Sequence, residues 1–339
     1  MKAIVQDTYG SPDVLELREI DKPVVGDDDV LIRVHAAGVD QGVWHFVAGL
    51  PYLFRLAGIG LRAPKNPVRG LDVAGRVEAV GKNVTRFQPG DEVFGTCRGS
   101  FAEYACARAD RLAPKPANVS FEQAAAVPIS GYAALQAVRD QGKVRPGQRV
   151  LIIGAGGGVG TFAVQLAKAY GAEVTGVCST TKTDLVRSIG ADHVIDYTRE
   201  DFADGRNRYD VILDIAGNRS LPHLRRALAP KGMLVIVGGE GGGRWLGGID
   251  RQLRAHLLSP FVRQKLGTFI SREREEDLET LHELLEAGKV TPIVDRTFPL
   301  SEVPEAIGYM RKGHARGKVV ITVSRATGPS PSPQTPQET

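Results

Sequence analysis

The middle of the chain carries short apolar runs that alternate with longer stretches of helical spacing. Each run is a few residues of valine, isoleucine and leucine, as expected for strands that are buried on both faces of a parallel sheet. Strands alternating with helices predict an α/β fold with a doubly wound parallel sheet over about residues 121–262. The predicted strands are 150–153, 174–177, 193–195, 211–214 and 233–237.

The two ends of the chain show a different pattern. Residues 1–120 contain short β-prone runs punctuated by glycine, proline and aspartate. Residues 263–325 mix an amphipathic helix at 275–287 with strand-like runs at 294–298 and 318–323. We expect 1–120 and 263–325 to form one β-rich domain, with 121–262 as a second domain inserted between them. Segment 44–66 is expected to be a covering loop with short helices, and 326–339 a disordered tail.

A glycine-rich turn follows the first strand of the inserted domain. The turn reads Gly154-Ala-Gly-Gly-Gly-Val-Gly160 and leads into a helical stretch that ends at Gly171. Free N–H groups and the helix dipole at such a helix N-terminus favour a pyrophosphate. The spacing departs from G-x-G-x-x-G at Ala155, and a phosphate loop is excluded because the next lysine is Lys168. The alternative is a tight turn that binds nothing.

The following strand indicates which nucleotide would bind. A site for NAD usually places Asp or Glu about 20 residues beyond the glycines, to hold the ribose 2′-hydroxyl. Here the strand ends in Cys178-Ser-Thr-Thr-Lys182, without an acid. Hydroxyls and a lysine suit a 2′-phosphate, which a carboxylate would repel. The sequence therefore predicts NADPH as the cofactor, although residues 179–183 can equally cap the next helix.

Composition limits the classes of partner. The 339 residues are 42% hydrophobic and 24% charged, with a net charge of +4. The basic residues are spread along the chain, which argues against nucleic-acid binding. No run approaches the length of a membrane span, and the N-terminus lacks a secretory pattern. With only three cysteines, this pattern favours a reducing, cytoplasmic location.

Short motifs along residues 1–325 make the chain resemble the medium-chain dehydrogenase/reductase superfamily, in its quinone oxidoreductase branch. The resemblance implies a GroES-like catalytic domain, a Rossmann domain and hydride transfer from NAD(P)H to a small electrophilic molecule. We also expect a homodimer. The motifs are Ala36-Ala-Gly-Val-Asp40, Gly70-Leu-Asp-Val-Ala-Gly75, Gly81-Lys-Asn-Val84, Phe87-Gln-Pro-Gly-Asp91, Phe101-Ala-Glu-Tyr104, Ser130-Gly-Tyr-Ala-Ala134, the glycine turn, Gly190-Ala-Asp192, Asp196-Tyr197 and Gly317-Lys-Val-Val320.

The departures from that superfamily concern zinc. Where its zinc enzymes carry a cysteine, a histidine and a third ligand, this chain has Asp40, Leu71 and Ala126. Leucine and alanine do not bind metal, and Cys97 and Cys106 are too few for a structural zinc lobe. We therefore expect no metal. Without a Lewis acid, reduction of an electron-poor quinone or enone is the natural chemistry, because the oxyanion formed is already stabilised.

The resemblance also assigns candidate site residues. Asp40, Trp44, His45, Tyr52 and Tyr132 are expected to face the nicotinamide and the substrate. Polar turn residues, core packing and surface positions are the competing interpretations. Asp72 is expected to keep a structural hydrogen bond. The expected cofactor residues are Ser130, Gly157, Gly158, Val159, Gly160, Ser179, Lys182, Tyr197, Ala216, Gly217, Val237, Gly238, Phe269, Arg316 and Lys318.

Other functions are compatible with the same pattern. One is an enoyl-thioester reductase or a metal-free alcohol dehydrogenase. Another is a non-catalytic protein that binds or senses NADPH without consuming it. Turnover with a panel of acceptors distinguishes the catalytic functions from the last one.

Overall fold

The computed structural model describes residues 1–239 and 243–323, apart from the side chain of Ala57. The tail expected at 326–339 lies outside the described residues. Two sheets organise the described part of the chain, one wholly parallel and one mainly antiparallel. They are built from different parts of the sequence, as the hydrophobic pattern predicts.

The parallel sheet has the order β10-β9-β8-β11-β12-β13. All of its pairings are parallel, and the glycine turn follows the strand β8 at its centre. Its strands are β8 (Arg149–Ile153), β9 (Glu173–Cys178), β10 (His193–Asp196), β11 (Tyr209–Asp214), β12 (Leu228–Ile236) and β13 (Lys265–Thr268).

Alternate residues of these strands enter two separate cores. Ile152 and Leu213 face one core, whereas their neighbours Leu151 and Ile212 face the other. Successive side chains of a strand point to opposite faces, so an uninterrupted apolar run buries both faces of the sheet.

Helices cover both faces of the parallel sheet and connect the two sheets. α5 packs in the first core, and α7 packs in the second. π-Helical turns extend α2 to Ile59 and α4 to Gln141. The helices are α1 (Gln41–Ala48), α2 (Tyr52–Phe54), α3 (Phe121–Ala125), α4 (Pro128–Leu135), α5 (Gly158–Ala169), α6 (Thr183–Ser188), α7 (Leu221–Ala227), α8 (Ile249–Leu258), α9 (Glu275–Glu286) and α10 (Val303–Arg311).

The second sheet takes strands from both ends of the chain. Its order is β14-β15-β3-β4-β5-β7, with β6 paired to β3, and β1 pairs β2 in a small separate sheet. The C-terminal β15 pairs antiparallel with β3, which brings the two ends together. Its strands are β3 (Asp29–Val39), β4 (Asp72–Val80), β5 (Glu92–Thr96), β6 (Tyr104–Arg108), β7 (Leu112–Pro114), β14 (Val294–Pro299) and β15 (Lys318–Thr322). The small sheet has β1 (Lys2–Val5) and β2 (Glu16–Glu19).

One expected boundary is corrected by β13. The hydrophobic pattern assigns residues from 263 onward to the β-rich domain, yet β13 extends the parallel sheet by pairing with β12. Residues 233–236 of β12 match residues 265–268 of β13 in register. The parallel sheet therefore continues to residue 268. A single edge strand carries too short an apolar pattern to reveal its partner from sequence.

None of the helices within residues 1–239 and 243–323 combines the length and apolar character needed to cross a membrane.

Candidate active site

A cavity of about 820 Å³ lies between the two sheets. One wall is the edge of the parallel sheet where β8, β9, β11 and β12 end, which is where α/β folds bind nucleotides. The opposite wall comes from α1, the segment after it and the start of β15. The predicted site residues that line it are Asp40, His45, Ser130, Gly157, Gly158, Val159, Ser179, Lys182, Tyr197, Ala216, Val237, Gly238, Phe269 and Lys318.

The glycine turn forms the middle of the cavity wall. Gly157 precedes α5 as its N-cap, so the first N–H groups of the helix face the cavity edge. Gly160 has a packing role instead, because a Cβ there would lie 2.1 Å from the Gly154 carbonyl oxygen. Gly157 also pairs with Gly317 of the other domain. The turn therefore presents backbone N–H donors at the cavity edge. It also packs the start of α5 against the end of β8 and pairs with the other domain at Gly317.

The expected adenosine end of the cavity contains Ser179, Lys182 and Tyr197. The Lys182 ammonium donates to the carbonyl oxygens of Gly313 at 2.9 Å and Ala315 at 2.6 Å. Burial lowers its pKa, and nearby Asp295 opposes that shift. Lys182 therefore also connects the nucleotide sheet to the loop before β15. Sequence reasoning did not foresee this second role, because the loop is distant in the chain.

The acid beside Tyr197 is turned away from the cavity. Asp196 accepts hydrogen bonds from the hydroxyls of Thr180 at 2.5 Å and Thr198 at 2.7 Å. These hydrogen bonds lower the pKa of Asp196. Asp196 is therefore held charged by its hydroxyl donors, and it is not among the residues that line the cavity.

Two further residues at this end, Asn218 and Arg219, were missed by sequence reasoning. Both line the cavity, and the Arg219 guanidinium carbon lies 5.5 Å from the centre of the Tyr197 ring. They follow the sequence Asp214-Ile-Ala-Gly217, at the end of β11. That placement after a parallel strand was the available signal.

The other end of the cavity is formed largely by α1. Gln41, Gly42, His45 and Phe46 line it and follow the spacing of one helix face. Val43 and Val47 point into the core on the opposite side. Phe54, Ile59 and Phe269 add apolar surface. This end can accept a flat, uncharged molecule.

Three predicted catalytic residues lie elsewhere. Trp44 projects from a different side of α1, where the Arg311 guanidinium lies 3.7 Å from its ring centre. Tyr52 packs edge-on against Trp245, with 5.3 Å between ring centres. Tyr132 is 1% exposed within the main core, and burial raises its pKa. The expectation that their side chains face the cleft is therefore corrected, because helix phase and core packing direct them away.

Three predicted cofactor residues are also not in the cavity wall. Gly160 packs beneath the turn, as described above. Gly217 has a φ of +69° and donates its N–H to Asp214 Oδ1 at 3.1 Å, which turns the chain after β11. Arg316 is exposed, while its neighbours Ala315 and Gly317 line the cavity. These three positions shape the wall without forming its surface.

Asp40 and His45 present polar atoms at the α1 end. Asp40 caps α1 by accepting from the Val43 N–H at 3.0 Å. Its other oxygen, Oδ2, is buried and has no hydrogen-bond partner within the described residues. His45 Nδ1 lies 2.8 Å from the Leu50 carbonyl oxygen. A carbonyl only accepts, so Nδ1 carries a hydrogen and Nε2 accepts when the ring is neutral.

A buried ion pair lies beneath the glycine turn. Lys318 Nζ lies 3.1 Å from Asp72 Oδ2, and the Ile129 N–H donates to Asp72 Oδ1 at 2.8 Å. Burial raises the pKa of Asp72, and the Lys318 ammonium opposes that rise. The hydrogen bond expected for Asp72 is therefore present, and it is joined by an ion pair to a cavity residue.

The positions of the zinc ligands hold no cluster of metal-binding groups. Ala126 is fully buried, and Leu71 packs against the core beside α1. Among the described residues, no three His, Cys, Asp or Glu side chains are grouped so that they could hold a metal ion. Cys97, Cys106 and Cys178 are free thiols.

A nicotinamide dinucleotide fits the groups that this cavity offers. A Cβ on Gly158 would meet Lys318 Cδ at 3.1 Å, so only glycine leaves this stretch of backbone uncovered beside the lysine. The polar residue Asp40 at one end and the cationic side chains at the other complete the lining of a site for an extended polar ligand. The arrangement defines a two-domain, nucleotide-dependent oxidoreductase.

Comparison with known proteins agrees with this class. An alcohol dehydrogenase GroES-like domain model matches residues 26–117, and a zinc-binding dehydrogenase model matches residues 189–321. The NADPH-dependent alkenal/one oxidoreductase of Arabidopsis thaliana is 35% identical over 95% of this chain and 79% of its own. NAD(P)H oxidoreductase RTN4IP1, mitochondrial, from Mus musculus is 33% identical over 95% of this chain and 89% of its own.

A solved structure shows the same architecture. The quinone oxidoreductase from Coxiella burnetii superposes with a TM-score of 0.83 at 29% identity, covering 96% of this chain and 99% of that one. The chain belongs to the medium-chain dehydrogenase/reductase family, in its quinone oxidoreductase-like branch. The expected combination of a GroES-like domain with a Rossmann domain is confirmed.

Proposed function

We propose that this protein uses NADPH to reduce a quinone, an enone or a related conjugated carbonyl compound. The observation that carries the proposal is one cavity with a glycine turn and cations along one wall and an aromatic surface at the other end. The Arabidopsis relative, named for alkenal and alkenone reduction, and the Coxiella quinone oxidoreductase support it. NADPH, when bound, supplies the hydride.

Different residues would hold different parts of the cofactor. The N–H groups at the start of α5 hold the pyrophosphate, and Ser179, Lys182 and Tyr197 hold the adenosine phosphate. Asp40 lies at the α1 end of the cavity and would face the nicotinamide half of the bound cofactor.

The substrate lies against Phe46, Phe54 and Ile59. These side chains exclude water from one face of a flat acceptor and orient it by stacking. Hydride addition to the acceptor leaves an oxyanion, which then takes a proton. The donor is His45 in its imidazolium form, because Nε2 carries a hydrogen only in that form. The overall change is hydride plus proton added across the conjugated system.

We further propose that the reaction proceeds without zinc. Leu71 and Ala126 offer no ligand atom at the corresponding positions, which supports the proposal. Charge stabilisation in the transition state then comes from hydrogen-bond donors at the α1 end rather than from a Lewis acid.

Assembly and location are proposals of the same kind. We propose a homodimer that forms at β13, the edge strand of the parallel sheet, with the exposed Leu257 and Phe261 nearby.

We propose the cytoplasm as the location because the chain carries three free cysteines, which suits a reducing compartment. The relative from Mus musculus is mitochondrial by name. Light scattering of the purified chain and imaging of a tagged chain test these two statements.

The decisive experiment for the proposed function is NADPH oxidation against quinones, enones, enoyl thioesters and simple aldehydes. Rapid consumption with quinones or enones, with little turnover of aldehydes, supports the proposal. Preference for enoyl thioesters would replace it with a thioester reductase. Tight NADPH binding without turnover of any acceptor would replace it with a binding or sensing function.

A further inference from the structure

Arg219 is a cation of the cavity wall that the family resemblance did not assign. Its guanidinium reaches from the end of β11 to the Tyr197 ring, which follows β10. In the sheet order β10-β9-β8-β11, two strands lie between those that precede these two residues. One of those strands leads into the glycine turn, and the other leads into Ser179.

The guanidinium of Arg219 makes no hydrogen bond within the described residues. Its Nε is enclosed by protein, whereas its two terminal amino groups are not enclosed. The backbone carbonyl of Arg219 accepts from Arg251 at 2.8 Å, which fixes the start of the side chain. A guanidinium with two free terminal amino groups can offer two parallel donors to one phosphate group.

Within the described residues, no acid forms an ion pair with this guanidinium. Asp214 is paired with Arg251 at 2.6 Å, and Asp196 accepts from Thr180 and Thr198. The Arg219 charge does oppose the rise that burial gives to the pKa of Asp214. Because Lys182 already donates to two backbone carbonyls, Arg219 is the described cavity-lining cation at this end whose side chain makes no hydrogen bond.

We propose that Arg219 binds the 2′-phosphate of NADPH and is a principal source of the preference for NADPH over NADH. The inference rests on the proposed use of NADPH. The pyrophosphate belongs to the glycine turn, so the negative group left for the adenosine end is the 2′-phosphate. A dianion that accepts from the two terminal amino groups gains two charge-assisted hydrogen bonds.

Isothermal titration of the full chain with 2′,5′-ADP and with 5′-AMP tests this without relying on turnover. The two nucleotides share the adenine and the 5′-phosphate and differ in the 2′-phosphate. Arg219→Gln should weaken 2′,5′-ADP by about tenfold to a hundredfold, the loss of a charge-assisted contact, and change 5′-AMP by less than about threefold. Normal 5′-AMP binding also shows that the variant is folded.

Two variants complete the design. Arg219→Lys keeps the charge and removes the fork, so it should recover only part of the affinity for 2′,5′-ADP. Arg206→Gln removes the same charge from an 87% exposed side chain beyond the cavity and should leave both nucleotides unaffected. If Arg219→Gln weakened both nucleotides equally, Arg219 would be an adenine contact and the proposal would fail.

The inference and the proposed function fail in different ways. A parent protein that favours 2′,5′-ADP, with a preference that survives in Arg219→Gln, overturns the inference alone. A parent protein that binds the two nucleotides equally overturns both this inference and the NADPH assignment.

Discussion

Lys318 and Asp72 form an ion pair that is almost completely removed from water. The Nζ–Oδ2 distance is 3.1 Å, and the side chains are 2% and 0% exposed. The pair connects Lys318, the first residue of β15, with Asp72, the first residue of β4. It holds Lys318 at its position in the cavity wall. Because both groups are shielded from water, each buried charge is compensated only while the other is present.

Removing one charge of this pair should destabilise the whole protein. Asp72→Asn leaves the Lys318 ammonium buried without a counter-charge, which costs about 3–5 kcal/mol in comparable sites. The double variant Asp72→Asn with Lys318→Met removes both charges and should regain most of that loss. Urea unfolding followed by circular dichroism measures the free energies of unfolding.

A surface pair provides the control for this prediction. Glu78 pairs with Lys22 at 2.9 Å, and both side chains are 40% exposed. Glu78→Gln should cost at most about 1 kcal/mol because water already solvates both charges. Equal stability of Asp72→Asn and the parent protein would show that Lys318 finds another partner or loses its proton.

The parallel sheet could be predicted from sequence because its strands are short apolar runs buried on both faces. The expected strand at 150–153 is observed at Arg149–Ile153, and the expected helix at 275–287 is observed at Glu275–Glu286. β13 could not be assigned in the same way. Its four residues Lys-Leu-Gly-Thr lack an apolar run, and only the pairing with β12 places it in this sheet.

The candidate site likewise has one part that the sequence predicts well and one part that it does not. Glycines and strand ends mark the nucleotide wall, since backbone geometry is specified locally. The α1 end was harder because the phase of a short helix decides which side chains reach the cavity. His45 and Phe46 face it, whereas Trp44 faces Arg311. Arg219 was missed because its position after β11 indicates only the edge of the sheet, and not that its guanidinium lies beside the Tyr197 ring.

Lys182 should affect both cofactors rather than NADPH alone. The sequence suggests that Lys182→Ala lowers NADPH affinity about tenfold and spares NADH. Its hydrogen bonds to the carbonyl oxygens of Gly313 and Ala315 also hold the loop before β15 in the cavity wall. We therefore expect a loss of about tenfold for NADPH and a smaller, measurable loss for NADH. Titrations of both dinucleotides decide it, and unchanged NADH binding would mean that the loop holds its position unaided.

Metal removal should leave the activity intact. Leucine and alanine at two ligand positions cannot coordinate zinc. Protein purified without added metal should contain well under one zinc per chain by elemental analysis, and dialysis against a chelator should not change kcat. Stoichiometric zinc together with chelator-sensitive turnover would contradict the proposed metal-free mechanism.

His45 should affect turnover rather than acceptor binding. Because Nδ1 donates to the Leu50 carbonyl, a transferable proton at Nε2 exists only on the imidazolium. If His45 is the proton donor, His45→Phe should lower kcat while KM for the acceptor changes little. Steady-state kinetics of the parent protein and the variant measure both constants. An unchanged kcat in His45→Phe would assign the proton to water.

The last prediction concerns the aromatic side chains that line the α1 end of the cavity. Phe46 and Phe54 line the cavity, and Phe54 meets the His45 ring edge-on at 5.8 Å between centres. Trp44 and Tyr52, which the sequence suggested, contact Arg311 and Trp245 instead. Phe46→Ala or Phe54→Ala should raise KM for a quinone several-fold, since an aromatic contact adds about 0.5–1.5 kcal/mol beyond its buried area. NADPH affinity should change less than KM, because these rings lie at the α1 end of the cavity, away from the residues that would hold the pyrophosphate and the adenosine.

Trp44→Phe is the matched control for this wall. It changes an aromatic residue of the same helix that faces away from the cavity, and it keeps a ring beside Arg311. Its KM for the quinone should equal that of the parent protein, with thermal melts confirming that each variant is folded. If Trp44→Phe raised KM as much as Phe46→Ala, the effect would come from the position of α1 as a whole. The substrate would then have to lie against a different part of the cavity.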